Sequence, residues 1–403
     1  MLSPFTLHAR LLFINISHSG FLSRRKMFVS LSGQVQRSPR EDTENKRAQQ
    51  HETTDMRTRT RKYIIGAVSV VIIVCAGVAT EQYYRLKISN IESRDGKEHL
   101  LYVYPNATLD SVLQAVEGTY DIATVRTLKF HARLMHFERP RTGCYRIPVC
   151  EGNYTFLRRL RGGEQVPVEL SFNNIRTREQ LAHRLSQQLL LDSLGIITRL
   201  ESDSFMSRYG LNRETAVSMF LPDTYEVFWT ISADQLFDRM HREYEHFWTP
   251  VRLEEARTLG LTPTEVSIVA SIIEEETNKR EEYPIIAGLY LNRLHTGMPL
   301  QACPTIKFAL QDFTLRRILY EHIQYDSPYN TYKYQGLPPG PIRIPRASTL
   351  DAVLHATKHN YLYMCASAEF NGTHHFSSTY AEHARYARAY QAILNQRGIG
   401  RKK

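Results

Sequence analysis

Between Ala270 and Thr277 the chain reads ASIIEEET, three consecutive glutamates ending a run that carries no other charge after Glu265. Upstream, Thr262-Pro263-Thr264-Glu265 has the form of a capping box with proline at the first helical position, so a helix begins there. Val266, Val269, Ala270 and Ile273 make one apolar stripe, widened by Ile268 and Ile272, which buries most of that helix. Ser267, Ser271, Glu274 and Asn278 fall at i, i+4, i+7 and i+11 and share another face. Glu274 therefore stands near the helix C-terminus among isoleucines. Both the macrodipole and the apolar surroundings favour its protonated form. A carboxylic acid kept protonated near neutral pH is a general acid, suited for example to a glycosidic oxygen. The plain alternative is a solvated acidic turn. Successive helical residues point about 100° apart, so at least one of Glu274, Glu275 and Glu276 is ordinary surface. No second carboxylate has an equally sheltered position. Glu276 is the nearest spare, and its spacing takes it off the Ser267/Ser271 face.

Other residue types invite chemistry less strongly. His374 and His375 are adjacent, but no HExxH or clustered Cys/His spacing accompanies them, so no metal or other cofactor is expected. His374 reads as a side chain that orders a cleft through hydrogen bonds. A Cys303–His374 nucleophile pair is a competing enzyme reading. Cys144 and Cys150 are six apart, and a bridge between them needs a chain reversal at Pro148, which is permitted and not implied.

The elements that position these groups come with an anchor. Tyr63–Ala79 (YIIGAVSVVIIVCAGVA) carries no charge and includes Cys75. About 18 helical residues span roughly 27 Å, close to the bilayer hydrocarbon thickness. Arg57, Arg59, Arg61 and Lys62 precede the span and Glu81 follows it, which predicts a cytoplasmic N-terminus and an extracytoplasmic remainder. The formal net charge of +10 is uneven. Residues 1–62 hold 12 Lys/Arg against 5 Asp/Glu, and the rest 39 against 36. The excess thus belongs to membrane topology, and no nucleic-acid partner is expected. A chain that is 42% hydrophobic and 23% charged, with five cysteines in 403 residues, is neither polytopic, disordered overall nor a disulfide scaffold. Residues 1–55 are polar in their second half and read as disorder. Met56, or else Met27, is the expected true start.

Past a short linker at 81–97, Leu100–Tyr104 is a strand candidate, followed by a Thr108-capped helix over LDSVLQAV. A second helix is expected over Asp121–Met135 and a closing strand at Gly143–Ile147. This βααβ order over 98–163 resembles the glycan-binding LysM fold. Gly162-Gly163 marks a boundary. Val166–Phe172 alternates as a strand, Thr177–Leu190 is a helix, and Leu221–Tyr225 is a turn between helices. The overall expectation is α+β: a cytoplasmic segment (1–62), one transmembrane helix (63–80), a LysM-like unit, an α+β catalytic domain (164–395) and a basic tail (396–403).

ASIIEEET resembles the A-S-[IV]-[IV]-E-x-E-T signature of the MltG/YceG-like family of membrane-anchored endolytic murein transglycosylases. Further elements follow in the family's order. AGLYLNRLHTGMPLQACPT (Ala287–Thr305) is similar to its helix and G-M-x-L-Q-x-D-P-T. Tyr329–Tyr332 matches Y-N-T-Y, and Gly336–Ile342 matches G-L-P-P-G-P-I. Tyr361–Tyr363 and Gly372–Phe376 match the closing Y-L-Y and G-x-H-x-F, while Leu221–Tyr225 resembles F-P-D-T-Y and Gly143–Ile147 the G-x-Y-x-[IF] strand. The likeness covers roughly residues 60–395.

The resemblance implies a lyase that cuts between N-acetylmuramic acid and N-acetylglucosamine inside peptidoglycan strands and leaves 1,6-anhydro ends. Glu274 takes the place of the family's catalytic glutamate. In such a mechanism Glu274 protonates the leaving oxygen, and it, or its conjugate base, then helps the muramic C6 hydroxyl attack C1; one acid suffices because that nucleophile belongs to the substrate. Ser271, Gln301, Tyr329, Asn330, Tyr332 and His374 are the expected substrate-binding set, with hydroxyl, amide and ring groups suited to sugars. Loop-fixing turn chemistry is the alternative for Gln301, Tyr329, Asn330 and Tyr332. Pro338, Pro339 and Gly340 read as a rigid wall of the site. The implied partners are glycan strands, the membrane and peptidoglycan synthases. A non-catalytic glycan-binding scaffold and a hydrolytic muramidase are the other readings. Two departures stand out: Cys303 occupies the family's Asp position, and Ala384 a position where Asn is common.

Overall fold

The computed structural model describes residues 39–315 and 317–397. The expected tail after Arg397, and residues 1–38 of the expected cytoplasmic segment, lie outside the described residues. Helix α1 runs from Pro39 to Lys87 and so takes in residues 39–62, which composition assigns to no regular structure. The reason is local propensity. That stretch is rich in Glu, Gln, Lys and Arg, and neither glycine nor proline interrupts it from Arg40 to Ile65. Among the described residues one helix, His51–Lys87, is long and apolar enough to cross a membrane, with a mean hydropathy of 2.4 in its most apolar window and none of it buried.

From Ala79 onward the chain forms a compact unit of its own, with mixed α and β elements. Strands β1 (Ile91–Ser93), β3 (Tyr120–Ile122) and β5 (Cys150–Glu151) form an antiparallel sheet in the order β3-β1-β5. Strand β2 (His99–Val103) pairs antiparallel with β4 (Gly143–Ile147), His99 opposite Ile147. Helices α2 (Leu109–Val116), α3 (Val125–Leu134) and α4 (Asn153–Gly162) pack on these strands over a core containing Val103, Leu113, Leu128, Tyr145 and Phe156. The Thr108 cap forms as expected. The helix expected from Asp121 starts later, because Tyr120–Ile122 is drawn off to pair with β1.

Strand β6 (Pro167–Ser171) pairs with β7 (Thr224–Phe228), Leu170 opposite Tyr225. The Leu221–Tyr225 segment is therefore a turn leading into a strand. Its Thr-Tyr-Glu-Val-Phe alternation is the strand pattern that the helical neighbours obscured. Helices α5 (Arg178–Ser186), α6 (Ser193–Leu200), α7 (Asp203–Met206) and α8 (Ala233–Phe247) are grouped with this ladder, around Leu170, Phe172, Phe220 and Phe237. A further core joins α10 (Pro263–Glu276), α11 (Tyr283–His295) and α14 (Ala347–Leu354), with α9 (Pro250–Thr258) beside them. Helices α12 (Cys303–Ala309) and α13 (Tyr320–Ile323) lie in the connection before α14. The antiparallel pair β8 (Tyr363–Ala366) and β9 (His374–Ser377) is covered by α15 (Tyr380–Gln396).

Candidate active site

Helix α10 is fixed at its start by sequence-local chemistry. Thr262 Oγ1 accepts the Glu265 N–H, the Glu265 carboxylate accepts the Thr262 N–H, and Pro263 opens the first turn. Such a cap is worth about 0.5–2 kcal/mol. Burial decides the rest. Every residue from Val266 to Glu274 is buried, and Val266, Val269, Ile272 and Ile273 are wholly out of solvent. At about 1.5–3 kcal/mol for each aliphatic side chain, this packing outweighs the cap and sets the helix rotation. The helix ends at Glu276, and Thr277 leaves it in extended backbone. Asn278, expected on the Ser267–Ser271–Glu274 face, thus lies beyond the helix and is exposed.

That rotation puts Glu274 inside the protein, with its side chain 1% exposed. Oε1 accepts two hydrogen bonds, from the Arg346 main-chain N–H at 2.7 Å and from the Thr349 hydroxyl at 2.5 Å. Oε2 lies 3.3 Å from Arg343 Nε, and neither atom has a hydrogen-bond partner among the described residues. One oxygen is held by two donors, and the other faces only the Arg343 guanidinium. Glu275 turns the other way into a charge cluster: it is bidentate with Arg176 (2.8 and 3.1 Å) and accepts from Arg343 Nη1 at 2.9 Å. Arg343 also reaches Asn174 at 3.0 Å.

The Gly336–Ile342 loop carries Arg343 to this place. Ser271 Oγ donates to Ile268 O and accepts the Ile342 N–H. Ser271 is fully buried and lies beneath the site as a bracket for the loop. Above the last turn of α10 opens a cavity of about 840 Å³, within the usual range for ligand pockets of about 300–1,000 Å³. Glu274, Glu275, Glu276, Arg343, Arg346 and His374 all line it.

Glu276 corrects an expectation. Spacing alone sets it apart from the Glu274 environment, but the helix ends at that residue and the cavity wraps around the end. Its carboxylate accepts the Tyr290 hydroxyl at 3.0 Å, and burial pushes its pKa up from 4.5 against smaller opposing effects of Tyr290 and His374. Glu276 therefore shares the cavity with Glu274 and Glu275, in surroundings of its own.

His374 is also in the wall. Its Nδ1 lies 2.9 Å from Glu282 Oε2, and its N–H donates to Glu282 Oε1 at 2.7 Å. The remaining expected contacts lie elsewhere, since none of Gln301, Tyr329, Asn330 and Tyr332 lines this cavity among the described residues. Asn330 is fully buried; its amide donates to Ile323 O and Tyr325 O and its Oδ1 accepts from Tyr332 N–H, so it fixes its own loop. Tyr329 packs on Phe308 at a ring separation of 4.7 Å. Gln301 sits at φ 49°, its N–H bonded to Thr331 O. Tyr332 pairs with Cys303, its hydroxyl 3.1 Å from Sγ. Desolvation and the nearby Glu276 push the Cys303 thiol up, away from the thiolate a nucleophile needs. Among the described residues no hydrogen bond joins Cys303 to His374, so the Cys303–His374 pair does not form. All five cysteines are free, so Cys144 and Cys150 are not bridged.

Arg343, Glu275, Arg176, Thr349 and Glu282 are site residues that spacing did not single out. A charge inside the apolar Pro-Ile-Arg-Ile-Pro run was the available signal for Arg343. The other four are brought in by tertiary folding and leave no local mark.

The chain matches the family model described as the YceG-like family over residues 101–389. It is similar to an endolytic murein transglycosylase of Bacillus subtilis (strain 168), 40% identical over 129 residues, or 32% of this chain and 35% of that protein. It is similar to another from Streptococcus pneumoniae serotype 2 (strain D39 / NCTC 7466), 24% identical over 286 residues, or 64% and 52%. The chain thus spans about a third to a half of the length of these curated relatives. The fold is similar to that of a putative yceG-like protein from Listeria monocytogenes, with a TM-score of 0.50 and 24% identity over 72% of this chain and 98% of that one.

Proposed function

Starting from the YceG-like family, to which this chain belongs, we propose that it is an endolytic peptidoglycan lytic transglycosylase. It cuts the MurNAc–GlcNAc bond within nascent glycan strands and leaves 1,6-anhydroMurNAc ends. The observation that carries this reading is the asymmetry of Glu274: Oε1 takes two donors, while buried Oε2 has no hydrogen-bond partner. Oε2, free of hydrogen-bond donors, is the oxygen from which a proton passes to the leaving glycosidic oxygen. Arg343, 3.3 Å away, steadies the carboxylate left behind. The muramic C6 hydroxyl then closes on C1, so the water-activating carboxylate of a hydrolase has no counterpart to supply.

The same reading assigns residues 98–163 to a LysM-like glycan-binding unit and 164–395 to the catalytic domain. The basic residues Arg57, Arg59, Arg61 and Lys62 place the N-terminal side of the apolar span in the cytoplasm and the catalytic domain outside. Peptidoglycan synthases are the partners beside which such an anchored enzyme works.

Mass spectrometry of glycan strands digested by the full chain tests the proposal. Anhydro ends that vanish in Glu274→Gln support it. Water-added reducing ends make the protein a muramidase, and binding without products makes it a scaffold. Cleavage by Glu274→Gln at the parent rate overturns the site assignment.

A further inference from the structure

His374, the first residue of β9, has the surroundings of a held base. Glu282, 5% exposed, ends the short 3-10 turn Arg280–Glu282 and grips the histidine at both its N–H and its Nδ1. The Thr277 hydroxyl, at the C-cap of α10, donates to the same Glu282 Oε2 at 3.1 Å. The carboxylate is therefore fixed from the helix that carries Glu274. A carboxylate acceptor at Nδ1 keeps the proton on Nδ1 and leaves the Nε2 lone pair available. Nε2 makes no hydrogen bond among the described residues, and the ring lines the Glu274 cavity. Base, orienting carboxylate and adjacent cavity are the arrangement of an activated acid–base pair.

The proposed cut has work for such a group. Closing the anhydro ring joins O6 to C1, and the hydroxyl must shed its proton as the bond forms. The Glu274 carboxylate can take that proton only after the leaving oxygen has departed; a ring closure concerted with departure needs a second acceptor. We propose that His374, oriented by Glu282, is the base that accepts the C6 hydroxyl proton; this rests on the function proposed above. The C1–O bond to the leaving sugar breaks and that oxygen takes the proton from Glu274 Oε2. The O6–C1 bond forms and the O6 proton passes to Nε2. Glu274 is left as a carboxylate beside Arg343, and His374 as an imidazolium beside Glu282. One proton returning from His374 to Glu274 through solvent restores both. Glu282 acts through the histidine and is a positioning residue. Glu276 also interacts electrostatically with His374, and Glu274, Glu275, Lys279, Arg343 and Arg346 line the same cavity.

The test uses the full chain on polymeric glycan strands, with anhydro ends counted by mass spectrometry. His374→Asn keeps an N–H donor where Nδ1 stands but offers no base. Its expected behaviour is the parent melting temperature, an unchanged KM and a kcat lower by about 10²-fold or more. Glu282→Gln removes the carboxylate that holds the proton on Nδ1, so kcat falls with KM and melting temperature unchanged. Glu276 is present in all of these proteins and its influence is common to them. His374→Asn at the parent kcat overturns the proposal. So does a loss matched by an equal loss of strand binding in a Glu274→Gln background. A parent that yields no anhydro ends overturns the proposed function and this inference with it. A parent that yields them while His374→Asn keeps pace overturns this inference alone.

Discussion

The Ser271 hydroxyl and the Ile342 main-chain N–H meet at 3.0 Å in the interior, while the same hydroxyl donates to Ile268 O at 2.7 Å. The contact fastens the Gly336–Ile342 loop to α10 one turn before Glu274. The next residue, Arg343, is thereby delivered to Glu274 and Glu275. A small hydroxyl residue at this point of the helix is a joint between the acid and the loop that serves it.

Replacing Ser271 by alanine leaves the buried Ile342 N–H without its acceptor, at a cost of about 1–3 kcal/mol. The expected result is a lower melting temperature together with a fall in kcat larger than any change in KM, since the loop displaced is the one carrying Arg343. Thermal unfolding and anhydro-end counting read the two effects. An Ser271→Ala protein as stable as the parent would show that the bracket carries no load.

The helix that holds the acid was legible because its signals are local. Thr262–Glu265 cap it, and an apolar period of 3.6 residues fixes its buried side. The partners of Glu274 were not legible. Arg343 and Thr349 lie 69 and 75 residues further on, and no spacing rule connects them to α10. Asn330 shows the opposite error. An amide among tyrosines suits a sugar, yet here it satisfies carbonyls of its own loop. Strand β7 was missed because its partner β6 lies more than fifty residues upstream, and pairing at that distance leaves only a five-residue alternation in the sequence.

Arg343 compensates two carboxylates at once, in a setting where its own side chain is 7% exposed. Arg343→Met removes that charge and leaves Glu274 without its ion-pair partner and Glu275 with Arg176. Breaking a buried pair in this way costs about 3–5 kcal/mol. Arg343→Lys recovers only part of it, because an ammonium cannot span Glu274, Glu275 and Asn174 as the planar fork does. Denaturant unfolding of the three proteins should rank parent, Lys, Met. A Lys variant equal to the parent would reduce the arginine to a point charge.

Gly340 is where the loop passes closest to another backbone. A Cβ at this position would meet Glu214 O and C at separations that real side chains do not show, with the Tyr329 hydroxyl 3.0 Å away. Backbone atoms on the far side cannot swing aside, so Gly340→Ala has to push the loop off its seat. Overpacking of this kind costs about 1–3 kcal/mol. The expected signature is a destabilised protein whose activity falls with that of Ser271→Ala, because both changes move the same loop. Unchanged stability and turnover in Gly340→Ala would mean that the loop is not held at this contact.

Glu276 gives the protein a pH dependence whose sign can be worked out. Burial raises its folded-state pKa above the ordinary 4.5, outweighing the Tyr290 hydrogen bond and the nearby cations. The folded state therefore holds this proton more tightly than the unfolded chain. Stability from the group is complete below 4.5 and is lost as pH climbs through the raised value. Glu276→Gln keeps a partner for the Tyr290 hydroxyl in its amide oxygen and carries no charge to desolvate. Its melting temperature should match the parent's near pH 4 and exceed it increasingly toward pH 8. Other titrating groups are common to both proteins and cancel in the difference. A difference that stays flat with pH, or grows toward acid, would mean that the Glu276 carboxylate is solvated.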